Sequence, residues 1–177
     1  MNLEVSIYDF LAAFYPDENE TVCLRLFKAK DEPLGEHNKP IKLAVTRAAL
    51  ISDARLQASL NEANRTRGVY FLPNAGGDKD ADITRFNAFF VECDTRSIEE
   101  QHAAYDACPL APSLRLVTRK SVHAYWLRAG DCSEAAWRDV QARLISYFDG
   151  DQKNKNRRAV CAYRSLIICT SHRKPER

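Results

Sequence analysis

The pattern of apolar and polar positions in the first half of the chain predicts helices interspersed with strands. Residues 5–14 suit a short helix that ends before Pro16, and residues 21–28 show the alternation of a half-buried strand. Residues 46–64 suit a second helix, and residues 68–72 begin another extended run. The segment between the first strand and the second helix contains proline and glycine, and we expect it to be a loop.

The second half opens with a strongly apolar run at residues 87–93, which predicts a buried strand. Ser97 and Glu100 follow with the spacing of a capping box, in which each side chain accepts a hydrogen bond from a backbone amide of the first helical turn. We therefore expect a helix that reaches about Ala107.

Two further extended runs, residues 114–117 and 122–127, are separated by a short polar break that favours an antiparallel pair. Ser133 can cap the next helix, which is expected to end at residues 149–151. Its predicted buried stripe consists of Trp137, Val140, Leu144 and Phe148. Helices interspersed with hairpins predict an α+β fold with a mixed, largely antiparallel sheet.

Composition indicates one globular domain. The chain has 177 residues, of which 45% are hydrophobic, and a net charge of +2, which does not by itself indicate nucleic-acid binding. No apolar run approaches the ~18 residues of a membrane helix, and the N-terminal segment carries acids where a signal peptide carries Lys or Arg. We expect a cytoplasmic protein with no membrane association.

The charges are unevenly divided along the chain. Residues 152–177 contain eight basic residues and one acid, a net charge of +7, which leaves 18 bases and 23 acids, a net charge of −5, for residues 1–151. The sequence therefore predicts an acidic body over residues 1–151 and a basic tail over residues 152–177, and the simplest interpretation of such an end is a solvated tail.

Six cysteines are scattered through the chain without a Cys-x-x-Cys pair, which favours reduced thiols. Cys161, Cys169 and His172 are the one arrangement that resembles zinc ligation, but the paired short spacings of structural zinc sites are missing.

Three groups of polar residues are candidates for chemistry. Glu92 and Asp94 end the apolar strand at positions i and i+2, so both carboxylates lie on one face and suit Mg²⁺ or Mn²⁺. The alternative is that the strand has ended and both acids are solvated. Asp149 and Asp151 flank a glycine after the last helix, where either acid can reach a metal held by the first pair, or can be ordinary loop chemistry.

Ser121 and His123 form the other group, on one face of a predicted strand and directly after Arg119 and Lys120. A hydroxyl, an imidazole and two cations within five residues offer several donors to a phosphate. The alternative is that His123 is an ordinary packed or half-exposed residue.

Taken in order, these elements resemble the catalytic domain of the archaeo-eukaryotic primase superfamily, particularly phage and plasmid primase-polymerases and the RepB-like DNA primase domain. The resemblance spans residues 68–151. The segments that carry it are residues 68–77 (GVYFLPNAGG), 80–83 (DADI), 87–94 (NAFFVECD) and 121–126 (SVHAYW).

The resemblance implies two metal ions, Mg²⁺ or Mn²⁺, held by Glu92, Asp94 and a later acid, for which Asp151 is the first choice and Asp149 the reserve. Two cations about 3.5 to 4 Å apart can activate a primer 3′-hydroxyl and neutralise a triphosphate. His123 completes the catalytic set that the resemblance implies.

The resemblance further implies that Ser121 and His123, assisted by Arg119 and Lys120, contact the phosphates of an incoming nucleoside triphosphate. The expected partners are a single-stranded DNA template, nucleoside triphosphates and a replicative helicase of a mobile element. Aromatic side chains such as Tyr125 and Trp126 can in principle stack on bases, although apolar neighbours favour core packing for Trp126.

Two other functions use the same residues. A truncated, non-catalytic replication protein would bind single-stranded DNA or a helicase without extending a primer. A metal-dependent nuclease would use the acids without a particular need for the Ser-x-His cluster.

The sequence departs from the family at its end. Family members commonly continue past the third acid with an Arg-hydrophobic-Arg-Leu-Pro-Gly stretch, whereas residues 157–164 read RRAVCAYR. One hypothesis is a shifted reading frame: if the codons for Val160 to Arg164 are GTA TGC GCC TAC CGG, the same bases read from the third one encode Met-Arg-Leu-Pro. Sequencing the gene across this region tests the hypothesis, and codons that do not permit the second frame would contradict it.

Overall fold

The computed structural model describes residues 7–28, 39–93, 95–118, 121–157 and 161–163. The elements follow in the order α1 (Ile7–Phe14), β1 (Thr21–Lys28), β2 (Ile41–Thr46), α2 (Arg47–Ser52), α3 (Ala54–Ala63), β3 (Arg67–Phe71), β4 (Ala88–Val91), α4 (Ile98–Asp106), β5 (Leu114–Val117), β6 (Val122–Leu127), α5 (Glu134–Phe148) and β7 (Cys161–Tyr163). Short 3₁₀ turns cover Asp80–Asp82 and Gln152–Lys155. The strands form two antiparallel sheets, so the α+β prediction is confirmed.

The first sheet has the strand order β2-β1-β3-β7, and all of its pairs are antiparallel. One face of this sheet is apolar, with Leu24 and Phe71 opposite each other in the register and both fully buried. Helix α1 packs on it through Phe14, whose ring centroid lies 5.2 Å from that of Phe71. The two aromatic rings bury a large apolar area at the centre of the main core.

The second sheet has the order β4-β6-β5, so β6 is its central strand. Because side chains alternate along a strand, Tyr125 and Trp126 lie on opposite faces. Tyr125 faces the main core and contacts Phe14 edge to face at 5.1 Å, while Trp126 packs against Phe148 of α5 at 5.7 Å. The second sheet thus separates the main core, which includes Trp137 of α5, from a smaller core beneath α4 and the C-terminal half of α5.

Several local predictions are confirmed. The strand at residues 21–28 has the predicted bounds, and the runs at 114–117 and 122–127 pair antiparallel. Ser97 Oγ accepts a hydrogen bond from the Glu100 amide, and the Glu100 carboxylate accepts one from the Ser97 amide, which is the predicted capping box. The four cysteines whose side chains are described are free thiols, and the side chains of Cys161, Cys169 and His172 lie outside the described residues.

Other predictions of secondary structure need correction. Strand β2 lies within the segment that we expected to be a loop, where it pairs with β1 along its whole length. The helix expected over residues 46–64 is divided at Asp53, whose carboxylate accepts hydrogen bonds from the amides of Arg55 and Leu56 at 2.9 and 3.1 Å. Asp53 therefore starts a new helix, because a side chain that caps amides competes with helix continuation.

The buried stripe of α5 was predicted correctly at Trp137 and Phe148 and incorrectly at Val140 and Leu144. The buried side chains are Trp137, Gln141, Ile145 and Phe148, whereas Val140 is 38% exposed and Leu144 is half-buried. Both sets fit a period of 3.6 residues, so spacing alone does not choose between them. The helix is rotated so that Gln141 reaches the backbone of β4, which needs polar partners there.

The aromatic residues that were considered for base stacking are core residues. Tyr125 is fully buried, so the stacking role is wrong for it, and Trp126 is buried with its Nε1 donating to the Leu110 carbonyl oxygen at 2.9 Å. Core packing, the favoured interpretation of Trp126, is confirmed.

Part of the predicted tail packs on the body. Strand β7 pairs with β3, and the Asn74 side chain donates a hydrogen bond to the Arg157 carbonyl oxygen at 3.1 Å. The division of the chain at residue 151 stays a prediction. Among the described helices, none combines the length and apolar character required to cross a membrane.

The rotation of α5 can be tested by two substitutions. Ile145→Ala removes a fully buried side chain and should lower the free energy of unfolding by about 2 to 5 kcal/mol. Val140→Ala, at a position that is 38% exposed, should change it by only about 0.5 kcal/mol. Urea titrations followed by circular dichroism measure both values, and equal losses would contradict the observed orientation.

Candidate active site at the end of strand β4

Two of the predicted site residues meet where β4 ends beside β6. The register pairs Val91 with Ala124, which brings Glu92, the residue after β4, next to His123 of the neighbouring strand. His123 Nε2 donates a hydrogen bond to Glu92 Oε2 at 2.8 Å. The side chains of His123 and Glu92 are 9% and 21% exposed, so the contact lies in a partly desolvated environment. Hydrogen bonds and electrostatic interactions are stronger there than in water.

The face on which this pair lies follows from alternation along β6. His123 and Tyr125 are two residues apart and share a face, and Tyr125 packs in the main core. The hydrogen bond from His123 therefore places the Glu92 carboxylate on the side of the second sheet that faces the main core and α1. It does not lie on the side of the smaller core, which contains Tyr105 of α4 and Phe148 of α5.

The loop after α5 is joined to the same strand end. The Asp151 amide donates to the Glu92 carbonyl oxygen at 2.9 Å, so the third predicted acid adjoins the first through the backbone. The Asp151 carboxylate accepts a hydrogen bond from the Lys153 amide at 2.9 Å and caps the 3₁₀ turn. Asp149, the reserve candidate, is exposed in a left-handed conformation, and its carbonyl oxygen accepts from the Cys93 thiol.

Close approach of this loop to β4 depends on Gly150. A Cβ atom at this position would lie 2.3 Å from Val91 Cγ2 and 3.1 Å from the Glu92 carbonyl oxygen. No side chain fits in that space without displacing the strand or the loop. Glycine is thus required for the spacing between Glu92 and Asp151.

Ser121 precedes β6 and is almost fully buried. Thr118, which the sequence analysis did not single out, closes the turn before it: the Ser121 amide donates to Thr118 Oγ1 at 2.9 Å, and the Thr118 amide donates to the Ser121 carbonyl oxygen at 2.8 Å. The hydroxyl oxygens of the two residues are 3.3 Å apart. Arg119 and Lys120, which separate Thr118 from Ser121 in the sequence, and Asp94, which follows Cys93, lie outside the described residues.

Helix α4 fixes the residue between Ser121 and His123. Gln101 Oε1 accepts from the Val122 amide at 2.7 Å, and the Tyr105 hydroxyl donates to the Val122 carbonyl oxygen at 3.1 Å. Burial raises the pKa of Tyr105 above its ordinary value, so the hydroxyl keeps the proton that it donates. Both backbone polar groups of the central residue of the Ser-x-His element are therefore held by one helix.

An ion network around the buried Arg157 ties the segment after Asp151 to the body. The Arg157 guanidinium contacts Glu134 Oε2 at 2.7 Å and Asp80 Oδ2 at 3.0 Å. Partial burial raises the pKa of Asp80, but the hydrogen bonds and charge of Arg157, together with the charge of Arg138, outweigh that effect and hold the pKa below its ordinary value. In the described structure Arg157 is engaged with carboxylates of the body.

The ligand atoms that the site offers are of the chemical type that a hard divalent cation prefers. Glu92 and Asp151 supply oxygen, the ligand that Mg²⁺ and Mn²⁺ prefer. Among the side chains that the structure describes, no group of three or more His, Cys, Asp and Glu residues is arranged to hold a metal ion. Because Asp94 is not among them, the predicted three-acid set stays a prediction.

Comparison with solved structures places this fold among primases. The chain is similar to the AEP domain of the primase-polymerase of cyanophage S-2L, with a TM-score of 0.72 and 26% identity over 92% of this chain and 86% of that one. It is also similar to the catalytic domain of primase RepB′ in complex with initiator DNA, with a TM-score of 0.59 and 13% identity over 88% of this chain and 74% of that one. A second RepB′ structure gives a TM-score of 0.59 and 12% identity over 95% of this chain and 56% of that one.

No known protein-family model matches the sequence, and no curated protein matches it significantly. The likeness to solved primases nevertheless confirms the resemblance inferred from the sequence. The chain has the fold of archaeo-eukaryotic primase catalytic domains.

The role of Gly150 gives a direct test of the site's geometry. Gly150→Ala should lower the free energy of unfolding by about 1 to 3 kcal/mol, because its Cβ would overlap the Val91 side chain. Ser146→Ala, at an exposed position of α5, is the control and should be nearly neutral. Thermal melts of the two variants measure the difference, and a Gly150→Ala protein as stable as the control would contradict the tight approach.

Proposed function

We propose that this chain is the catalytic domain of a DNA primase or primase-polymerase, which joins nucleotides on a single-stranded DNA template. The observation that carries the proposal is the 2.8 Å contact between His123 and Glu92, with the Asp151 amide on the Glu92 carbonyl oxygen. An acid and a histidine that were predicted independently, 31 positions apart in the sequence, are brought together in a fold that is similar to a primase-polymerase domain.

In this proposal Glu92, Asp94 and Asp151 hold two Mg²⁺ or Mn²⁺ ions. When bound, the ions activate the primer 3′-hydroxyl and neutralise charge on the triphosphate. His123 orients the Glu92 carboxylate by donating a hydrogen bond from Nε2. Its Nδ1 is therefore the ring nitrogen that can contact a phosphate.

The nucleotide is held by the turn before β6. Ser121 supplies a hydroxyl on the face that His123 shares, and Arg119 and Lys120 supply charge for the phosphates. Thr118 and helix α4 keep this turn and the start of β6 in place. A solved RepB′ structure contains initiator DNA, which supports DNA as the template, and the cyanophage neighbour supports an origin in a mobile element. A replicative helicase as a further partner stays a prediction.

Primer synthesis on single-stranded DNA, with Mg²⁺ or Mn²⁺ and labelled nucleoside triphosphates, is the direct test. Glu92→Gln, Asp94→Ala and His123→Ala should each reduce product by on the order of 100-fold or more, because each removes a group that stabilises charge in the transition state. Glu99→Gln, an exposed acid in the first turn of α4, should retain activity.

The other outcomes are equally definite. Product that survives both Asp94→Ala and His123→Ala would contradict the site assignment. Binding of single-stranded DNA or nucleotide without incorporation would indicate the non-catalytic replication protein, and degradation of labelled DNA without added nucleotides would indicate the nuclease.

A further inference from the structure

We propose that Gln141, in the middle of α5, is a positioning residue that sets the distance between the acids of the site. It acts through backbone groups on β4 and on the 3₁₀ turn that follows Asp151, and it does not touch the substrate. The proposal rests on the proposed function for what those acids do, and its structural part can be tested without any activity.

The Gln141 side chain is only 1% exposed and makes three hydrogen bonds. Its Oε1 accepts from the Phe90 amide at 3.2 Å, and its Nε2 donates to the Phe90 carbonyl oxygen at 2.6 Å. Nε2 also donates to the Asn154 carbonyl oxygen at 3.0 Å. A primary amide has two N–H donors, so both are used, one on the strand and one on the turn.

The two segments joined in this way carry the two described acids. Phe90 lies two residues before Glu92, and Asn154 lies three residues after Asp151. Within the turn, the Asn154 amide donates to the Asp151 carbonyl oxygen at 3.0 Å, while the Asp151 carboxylate caps Lys153. Asn154 and Asp151 therefore move together, and Gln141 fixes this turn relative to the strand that ends at Glu92.

Glutamine suits this position because β4 is an edge strand of the second sheet. The outward-facing backbone groups of an edge strand need partners, and the planar side-chain amide offers a donor and an acceptor in the arrangement of a peptide group. Leu or Met would pack equally well in the apolar stripe. Either residue would leave three buried backbone groups without these hydrogen-bond partners, which lowers the free energy of unfolding.

The functional consequence follows from the sensitivity of a metal site to ligand spacing. A group that orients metal ligands without binding the metal typically changes metal affinity by about 10- to 100-fold when it is removed. Loss of the Gln141 hydrogen bonds removes one of the contacts that hold the turn after Asp151, beside those of the Asp151 amide on Glu92 and of Arg157 on the body. The spacing between Glu92 and Asp151 is then less restricted before a cation binds.

The test compares Gln141→Met with Trp137→Phe in the full chain. Trp137 lies on the same helix and donates from Nε1 to the Ala88 carbonyl oxygen at 3.0 Å, so its substitution also removes a hydrogen bond to β4 but does not reach the turn. Gln141→Met should weaken Mn²⁺ binding, measured by electron paramagnetic resonance without DNA or nucleotide, by about tenfold or more. Trp137→Phe should leave the Mn²⁺ affinity within about twofold of the wild type, because the turn keeps its anchor.

Hydrogen exchange gives a second readout that needs no metal. In Gln141→Met the amides of residues 151–156 should exchange faster than in the wild type, whereas Trp137→Phe should leave them unchanged. Equal effects of the two variants on Mn²⁺ affinity, or unchanged exchange of the turn in Gln141→Met, would overturn the proposal.

If Gln141→Met does not fold, native-state exchange of the wild-type chain decides the question. The amides of Phe90, Asp151 and Asn154 should open in one cooperative unit, and an Asp151 amide that opens independently of Phe90 would contradict the proposal. A wild-type protein that binds no Mn²⁺ yet shows this common opening would refute the proposed function while leaving the role of Gln141 in the fold intact.

Discussion

The geometry of the site depends on how the outer edge of strand β4 is satisfied. Among the described strands, none pairs with that edge. Its outward carbonyl oxygens at Ala88, Phe90 and Glu92 instead accept hydrogen bonds from Trp137, Gln141 and the Asp151 amide. Helix α5 and the loop after it thus take the place of a neighbouring strand. Because the last partner in this series is the backbone of Asp151, the need to satisfy an edge strand also brings the third predicted acid close to the first.

The inner edge of β4 supplies the other half of the arrangement. The antiparallel register with β6 carries His123 to the position beside Glu92. Glu92 is consequently held at two points, by His123 on its carboxylate and by Asp151 on its carbonyl oxygen. Two independent contacts on one residue restrict its freedom before any ligand arrives, and such preorganisation is the main contribution that a protein makes to charge stabilisation.

Local sequence signals predicted much of the fold. They failed where long-range contacts determine whether a strand forms or how a helix is rotated. The capping box at Ser97 and the hairpin of β5 and β6 depend on neighbours in the sequence and were predicted with the observed partners. Strand β2 was missed because its pairing with β1 outweighs the turn residues before it, and the rotation of α5 was missed because a period of 3.6 fits both Val140 and Gln141. In the sequence, Gln141 is recognisable as a polar residue in helical phase with the buried Trp137 and Ile145. Its role as a hydrogen-bond partner becomes clear only when the edge strand β4 is seen beside it.

The uneven distribution of charge along the chain is another property whose meaning depends on long-range contacts. Residues 152–177 are strongly basic in sequence, but Arg157 at the start of this segment is bound by Asp80 and Glu134 of the acidic body. Its carbonyl oxygen also accepts from Asn74, whose own side-chain oxygen accepts from the Asn87 amide just before β4. Part of the sequence-level asymmetry is therefore cancelled within the fold, and the ion network extends the anchoring of the segment after Asp151 beyond the contact made by Gln141. The acidic body and this basic residue are complementary parts of one structure, which holds the loop of the third predicted acid at both of its ends.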